Sequence, residues 1–170
     1  MQMDAGLDTG DILACLPVAI GENETAGELF DKVTQAGAAF LCTTLDDIAA
    51  SKVQRTPQDN AKATLAPPLT KEMALLDFTR DAKTLHNLIR GLNPWPVAYF
   101  VCGEKKIKVL RSIYLPEKSG RPGEVLSTKP LTVACAGGAL TLTQVVPEGS
   151  RPMEGTAWAA GKRLQIGDLL

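Results

Sequence analysis

The spacing of apolar and polar positions changes three times along the chain. Residues 12 to 20, Ile-Leu-Ala-Cys-Leu-Pro-Val-Ala-Ile, form a largely apolar run that reads as a strand. Pro17 lacks a backbone N–H, so the strand must lie at a sheet edge or carry a bulge. Thr25-Ala-Gly-Glu28 then has capping-box spacing. Beyond it Leu29, Val33, Ala36, Phe40 and Ile48 recur on one helical face. That spacing predicts a long helix to about Ala50, with Gly37 as a candidate break. One strand and one helix cannot bury each other's apolar faces, so residues 1–50 need a packing partner. Residues 51–70 are polar, hold three prolines and read as a linker. Ala82, Leu85, Ile89 and Leu92 make a second apolar stripe, predicting a helix from about Asp81 to Gly91. Asn93-Pro-Trp-Pro96 ends it, because proline cannot continue a helix and restricts the residue before it. From Val97 the alternation shortens to that of strands, at Val97–Cys102, Lys106–Leu115, Glu124–Ser127, Leu131–Ala136, Ala139–Val146 and Arg163–Ile166. Turn residues separate them at Gly103-Glu104, Ser119–Gly123, Lys129-Pro130 and Gly137-Gly138. Short strands at such intervals predict a small barrel or sandwich over residues 71–170.

No run of about 18 apolar residues occurs, so no membrane-spanning helix is expected. The opening MQMDAGLDTG is acidic and lacks a secretory apolar segment. Cys15, Cys42, Cys102 and Cys135 are spread along the chain without a Cys-x-x-Cys pair, which fits unpaired thiols in a reducing cytoplasm. Net charge sharpens the division of the chain. Residues 1–62 hold ten Asp/Glu and four Lys/Arg, whereas residues 63–170 hold nine and fourteen. The halves are therefore at −6 and +5, a contrast that suggests different partners. Lys and Arg gain affinity for polyanions by displacing counterions from phosphates.

Candidate chemistry concentrates in Gln2–Leu13, QMDAGLDTGDIL. Three aspartates fall within eight positions, punctuated by Gly6 and Gly10. This is a tight loop with close backbone approach at the glycines and a carboxylate on a sharp turn. An acidic surface loop or a cation site would share that composition. A calcium loop is disfavoured by the missing Asp-x-Asp-x-Asp-Gly spacing and distal Glu.

The segment resembles the Asp-x-Gly loop of formyltetrahydrofolate-dependent formyltransferases, in the form seen in methionyl-tRNA formyltransferases. The likeness continues through ATLAPPLTKE at Ala63–Glu72, LLDF at Leu75–Phe78, IRGLNPWP at Ile89–Pro96, IKVL at Ile107–Leu110, AGGALTLTQV and the closing AAGKRLQIGD. Their order and spacing cover nearly the whole chain. The resemblance implies an α/β remnant, the edge strand and long helix of a Rossmann-like catalytic domain, in residues 1–50. After the linker it implies an OB-like open β-barrel that binds tRNA, in residues 71–170. It further implies transfer of a formyl group from 10-formyltetrahydrofolate to the amine of methionyl initiator tRNA, without a metal, in a cytoplasmic enzyme that is monomeric when intact. The amine attacks the formyl carbon, and the resulting oxyanion needs proton transfer and hydrogen-bond donors nearby. In the family an Asn, a His and an Asp share this work. Asp8 matches the Asp, with the implied role of orienting and charge-stabilising the histidine. Asp4, Ala5, Gly6, Leu7 and Asp8 match the loop facing the pterin of the folate.

The departures from the pattern carry their own expectations. No Asn-x-His pair occurs, and the single histidine, His86, falls on the second helix, where it reads as a surface or packing residue. Pro68 stands where a lysine is common, and Phe78 where a tryptophan is common. A truncated form of the enzyme, inactive alone, is the resulting expectation. In the basic half Lys105, Lys106, Lys108 and Arg111 cluster on one strand and its turn, with Lys106 and Lys108 on one face by alternation. Together with Lys162 and Arg163 they are the candidate tRNA contacts, against the plainer reading of a solvated strand face. Trp95 is expected to pack at the barrel entrance, and Tyr99, Phe100 and Trp158 in the core. Two further readings share these features: an amino-sugar-nucleotide formyltransferase with the same loop, and an RNA-binding module without catalysis.

Overall fold

The computed structural model describes residues 1–170, which divide into two compact units. One contains Met1–Gly21 and Glu28–Pro68; the other contains Glu22–Gly27 and Leu69–Leu170.

The second unit is a curled antiparallel sheet with helices against it. Its strands are β1 (Tyr99–Cys102), β2 (Lys105–Leu115), β3 (Val125–Thr128), β4 (Leu131–Ala134), β5 (Ala139–Pro147) and β6 (Met153–Glu154). The order is β1-β2-β5-β4-β3, with β6 also on β5. β5 organises the curl. It pairs along its length with β2, while its other edge meets β4 at Ala139–Thr141 and β6 at Gln144–Val145. Helix α2 (Ala82–Gly91) packs on β2. Asp81 is its N-cap, the carboxylate accepting from the Thr84 N–H at 3.0 Å and satisfying an otherwise free first-turn donor. Its buried face is Ala82, Leu85, His86 and Ile89, the stripe legible in the sequence plus the histidine. Ala82, Leu85 and Ile89 join Phe78, Phe100, Ile107, Val109, Leu140, Leu142 and Trp158 in one core. Phe100 stacks obliquely on Phe78 and edge-on to Trp158, both with centroids 5.7 Å apart.

Three sequence expectations for this unit are corrected. Residues 163–166 are not a strand; the closing element is helix α3 (Gly155–Lys162), which buries Trp158 and Ala159 and ends at Arg163 in the left-handed conformation. Its Ala-rich sequence favours helix. Gly155 admits no side chain, because a Cβ there would collide with the Leu142 carbonyl of β5. Trp95 is 55% exposed rather than packed, and Tyr99 is only partly buried, its ring lying under the Lys106 ammonium at 5.0 Å.

The first unit is built differently. Helix α1 runs Ala26–Ala49 without a break at Gly37, and not one of its residues is buried. Phe30, Val33, Leu41, Leu45 and Ile48 are exposed. The strand expected over residues 12–20 is not part of any sheet. Its one ladder contact is the bridge Ile12–Thr56, and Lys32 Nζ donates to the Ala19 carbonyl at 2.9 Å. A strand exists only through its partners, and this run has none beyond Ile12.

Candidate functional sites: an acidic loop and a cationic strand

In the first unit, residues 2–11 close into a loop. The Gln2 N–H donates to the Asp11 carbonyl at 2.8 Å, and Ile12 and Thr56 exchange backbone bonds of 2.9 and 3.0 Å at its base. Inside it, Asp4 Oδ1 accepts from the Gly6 N–H at 3.0 Å and the Thr9 hydroxyl at 2.7 Å, an Asx-type turn. Gly10 is buried, and a Cβ there would run into the Gln2 carbonyl, which is why only glycine fits. Asp8 has φ 55°, left-handed for a non-glycine residue, and is exposed. Gln58 Nε2 donates to the carbonyls of Asp8 at 2.8 Å and Gly10 at 2.7 Å. Leu7, Asp8 and Thr9 form one wall of an open groove of about 790 Å³, whose other wall is residues 57–67. The structure thus holds Asp4, Ala5, Gly6, Leu7 and Asp8 in one loop. Gln58, which the sequence reading passed over, ties the loop's far side.

In the second unit, β2 alternates as its sequence predicts. Lys106 and Lys108 are exposed, while Ile107 and Val109 are fully buried. The pairing with β5 then shifts between Val109 and Ser112. This bulge, which the sequence does not announce, gives the exposed place to Arg111 and turns Ser112 inward, so Arg111 continues the row begun by the lysines. Lys106 and Lys108 share a hollow with Val146–Ser150. Lys105 and Lys162 line a neighbouring hollow with Trp158 and Glu148. Arg163, at the end of α3, lines neither of these hollows.

The single histidine is structural. His86 is 1% exposed; its Nδ1 lies 2.9 Å from Ser112 Oγ and its Nε2 3.1 Å from the Glu22 carbonyl. A carbonyl only accepts, so Nε2 carries the proton and the Ser112 hydroxyl donates to Nδ1. Burial holds its pKa below the usual histidine range, opposed by the Glu22 carbonyl and helped by the Lys83 and Arg90 charges. Along the same face of α2, Lys83 reaches Glu22 at 3.4 Å and Arg90 Nη1 donates to the Glu24 carbonyl at 3.2 Å. The Gly27 N–H donates to the Asn93 carbonyl at 3.0 Å. Residues 22–27 are therefore strapped onto α2. Cys135 is buried, and desolvation first, then the Asp81 charge, push its thiol up to about 12. No group of His, Cys, Asp and Glu side chains stands close enough together to hold a metal ion, and no helix is long and apolar enough to cross a membrane.

The second unit is a curled antiparallel half-barrel with a cationic strand, and the same chain carries a glycine-punctuated acidic loop. Residues 68–163 match the formyl transferase C-terminal domain, and the chain belongs to that family. It is 40% identical over its whole length to a methionyl-tRNA formyltransferase of Citrifermentans bemidjiense, covering 54% of that protein. The figures for the methionyl-tRNA formyltransferase of Bacillus subtilis are 36% identity, all of this chain and 55% of the relative. The chain thus spans about half the length of the curated relatives it matches. Among solved structures, HypX from Aquifex aeolicus in complex with tetrahydrofolic acid has a TM-score of 0.66 at 19% identity, over 98% of this chain and 30% of that one. An N-formyltransferase from Helicobacter canadensis, solved with folinic acid and dTDP-3-aminofucose, has a TM-score of 0.62 at 16% identity, over 89% and 53%. These two share the fold.

Proposed function

We propose that the chain supplies the acidic loop and the tRNA-holding domain of a cytoplasmic enzyme that moves a formyl group from 10-formyltetrahydrofolate to methionyl initiator tRNA. The observation that carries this reading is the match along the whole chain, at 36–40% identity, to proteins named for that reaction. In it, residues 12–20 and α1 are the edge of an α/β catalytic domain, which accounts for a 24-residue helix with no buried side chain. Residues 51–70 are the linker, and residues 71–170 an OB-like barrel. Asp8 orients and charge-stabilises the catalytic histidine, and the Asp4–Asp8 loop faces the pterin. Lys105, Lys106, Lys108, Arg111, Lys162 and Arg163 contact tRNA phosphates. No metal takes part, and the intact enzyme is a monomer.

The chemistry follows from charge. As the methionyl amine attacks the formyl carbon it must lose a proton, and the imidazole that takes it becomes cationic. A nearby carboxylate stabilises that cation, and an amide in its place does not. In the longer enzyme, Asp8→Asn is expected to lower turnover at least about a hundredfold with little change in tRNA affinity. Unchanged turnover would remove Asp8 from the mechanism. These 170 residues hold no Asn-x-His pair, so the purified chain alone is expected not to consume 10-formyltetrahydrofolate.

A second reading, formylation of an amino-sugar nucleotide, is favoured by the likeness to the Helicobacter canadensis enzyme solved with such a sugar nucleotide. Competition between initiator tRNA and dTDP-amino sugar for the intact enzyme separates the two. An RNA-binding role without catalysis predicts tRNA binding with no formyl transfer by any form of the protein.

A further inference from the structure

Asp8 has φ 55°, a left-handed conformation uncommon outside glycine although aspartate tolerates it better than most residues. Its carboxylate takes no hydrogen bond from the chain, so the backbone contacts around it set how firmly the turn is held. Both carbonyls that flank the turn, those of Asp8 and Gly10, point at one atom, Gln58 Nε2, at 2.8 and 2.7 Å. We infer that Gln58 is a positioning residue for Asp8, setting the direction of its carboxylate by clamping the backbone on either side. The inference rests on the reading of Asp8 as part of the formyl-transfer site.

The chemistry of the clamp is specific. Carbonyl oxygens only accept, so the clamping group must offer two hydrogens from one planar nitrogen, which a side-chain amide does and a carboxylate does not. Glutamate, of the same shape, would set a negative oxygen against two carbonyl oxygens. Asparagine would fall one methylene short. The position of Gln58 is fixed from the sequence upward. The Ile12–Thr56 bridge lays residues 56–58 alongside the loop base, and Gln58 stands two residues past that bridge. Asp4 is engaged inward with Gly6 and Thr9, leaving Asp8 as the carboxylate that the clamp presents to the groove that Gln58 also lines.

Amide hydrogen exchange on the 170-residue chain tests the clamp without any appeal to catalysis. The reporters are Gln2, Gly6, Ile12 and Thr56, whose N–H groups are bonded within the loop and its base. In Gln58→Glu their exchange should rise about tenfold relative to wild type, the equilibrium change given by losing roughly one ordinary hydrogen bond or more. Val109, bonded within the second unit, should not change. Equal exchange of the four reporters in wild type and Gln58→Glu, or exchange already at unstructured rates in wild type, would overturn the clamp. In the longer enzyme, Gln58→Glu should lower kcat with KM for tRNA unchanged, and Gln58→Asn should recover little. Loss of turnover in Asp8→Asn but none in Gln58→Glu would overturn the positioning role alone. Full turnover in Asp8→Asn, with the exchange result as expected, would overturn the formyl-transfer reading and leave the clamp standing.

Discussion

Helices α1 and α2 belong to one chain and are both amphipathic by sequence, yet they end in opposite circumstances. The 24 residues of α1 include no buried side chain, whereas four of the ten residues of α2 are buried. The difference teaches that apolar spacing states what a helix needs, not what it obtains. α2 packs on β2, and its Leu85 and Ile89 belong to the same buried core as Ile107 and Val109. α1 keeps Phe30 at 73% exposure. Burial of such a side chain contributes about 1.5–3 kcal/mol, so α1 carries a large unrealised gain.

The sharpest way to break this contrast is paired truncation. Leu85→Ala should destabilise the second unit by about 2–5 kcal/mol, because it removes fully buried atoms and leaves a cavity. Leu41→Ala, on the exposed face of α1, should change stability by no more than about 0.5 kcal/mol. Urea unfolding followed by helical circular dichroism and by the fluorescence of Trp95 and Trp158 measures both. Equal effects would mean that α1 is packed after all.

His86 supplies the next contrast. Its folded pKa lies below the unfolded value of 6.5, so the unfolded chain binds more protons in acid. The stability that the neutral ring contributes is complete above pH 6.5 and is lost as pH falls through the lower, folded pKa. Thermal unfolding at stepped pH should show this decline in wild type and not in His86→Gln, which should also be less stable at neutral pH. A smaller effect separates the cysteines. Cys135, with its thiol pushed up to about 12, should stay unmodified by iodoacetamide at pH 8, while exposed Cys15 and Cys42 react. Simultaneous labelling would show that the second unit opens readily.

What the sequence disclosed follows the same division. α2 and the strands from Tyr99 to Pro147 were legible because each packs against partners within the chain, so period and environment agree. The run at residues 12–20 misled, since apolar character states a need for strand partners and only Ile12 finds one. α3 was missed because its short run of small residues shows little separation of apolar and polar positions at helical spacing. Of the sites, the Asp4–Asp8 loop and the Lys106–Lys108 alternation could be read directly. The bulge that sets Arg111 beside them, the His86–Ser112 pair and the Gln58 clamp all depend on contacts across long stretches of chain, which spacing alone does not encode.

The cationic strand is the proposed hold on tRNA. Binding of methionyl initiator tRNA to the purified chain, measured across salt concentrations, should weaken steeply as salt rises. Lys106→Ala and Lys108→Ala should each reduce the slope of log K against log salt by about one. Binding that ignores salt, or a slope unmoved by both substitutions, would contradict it.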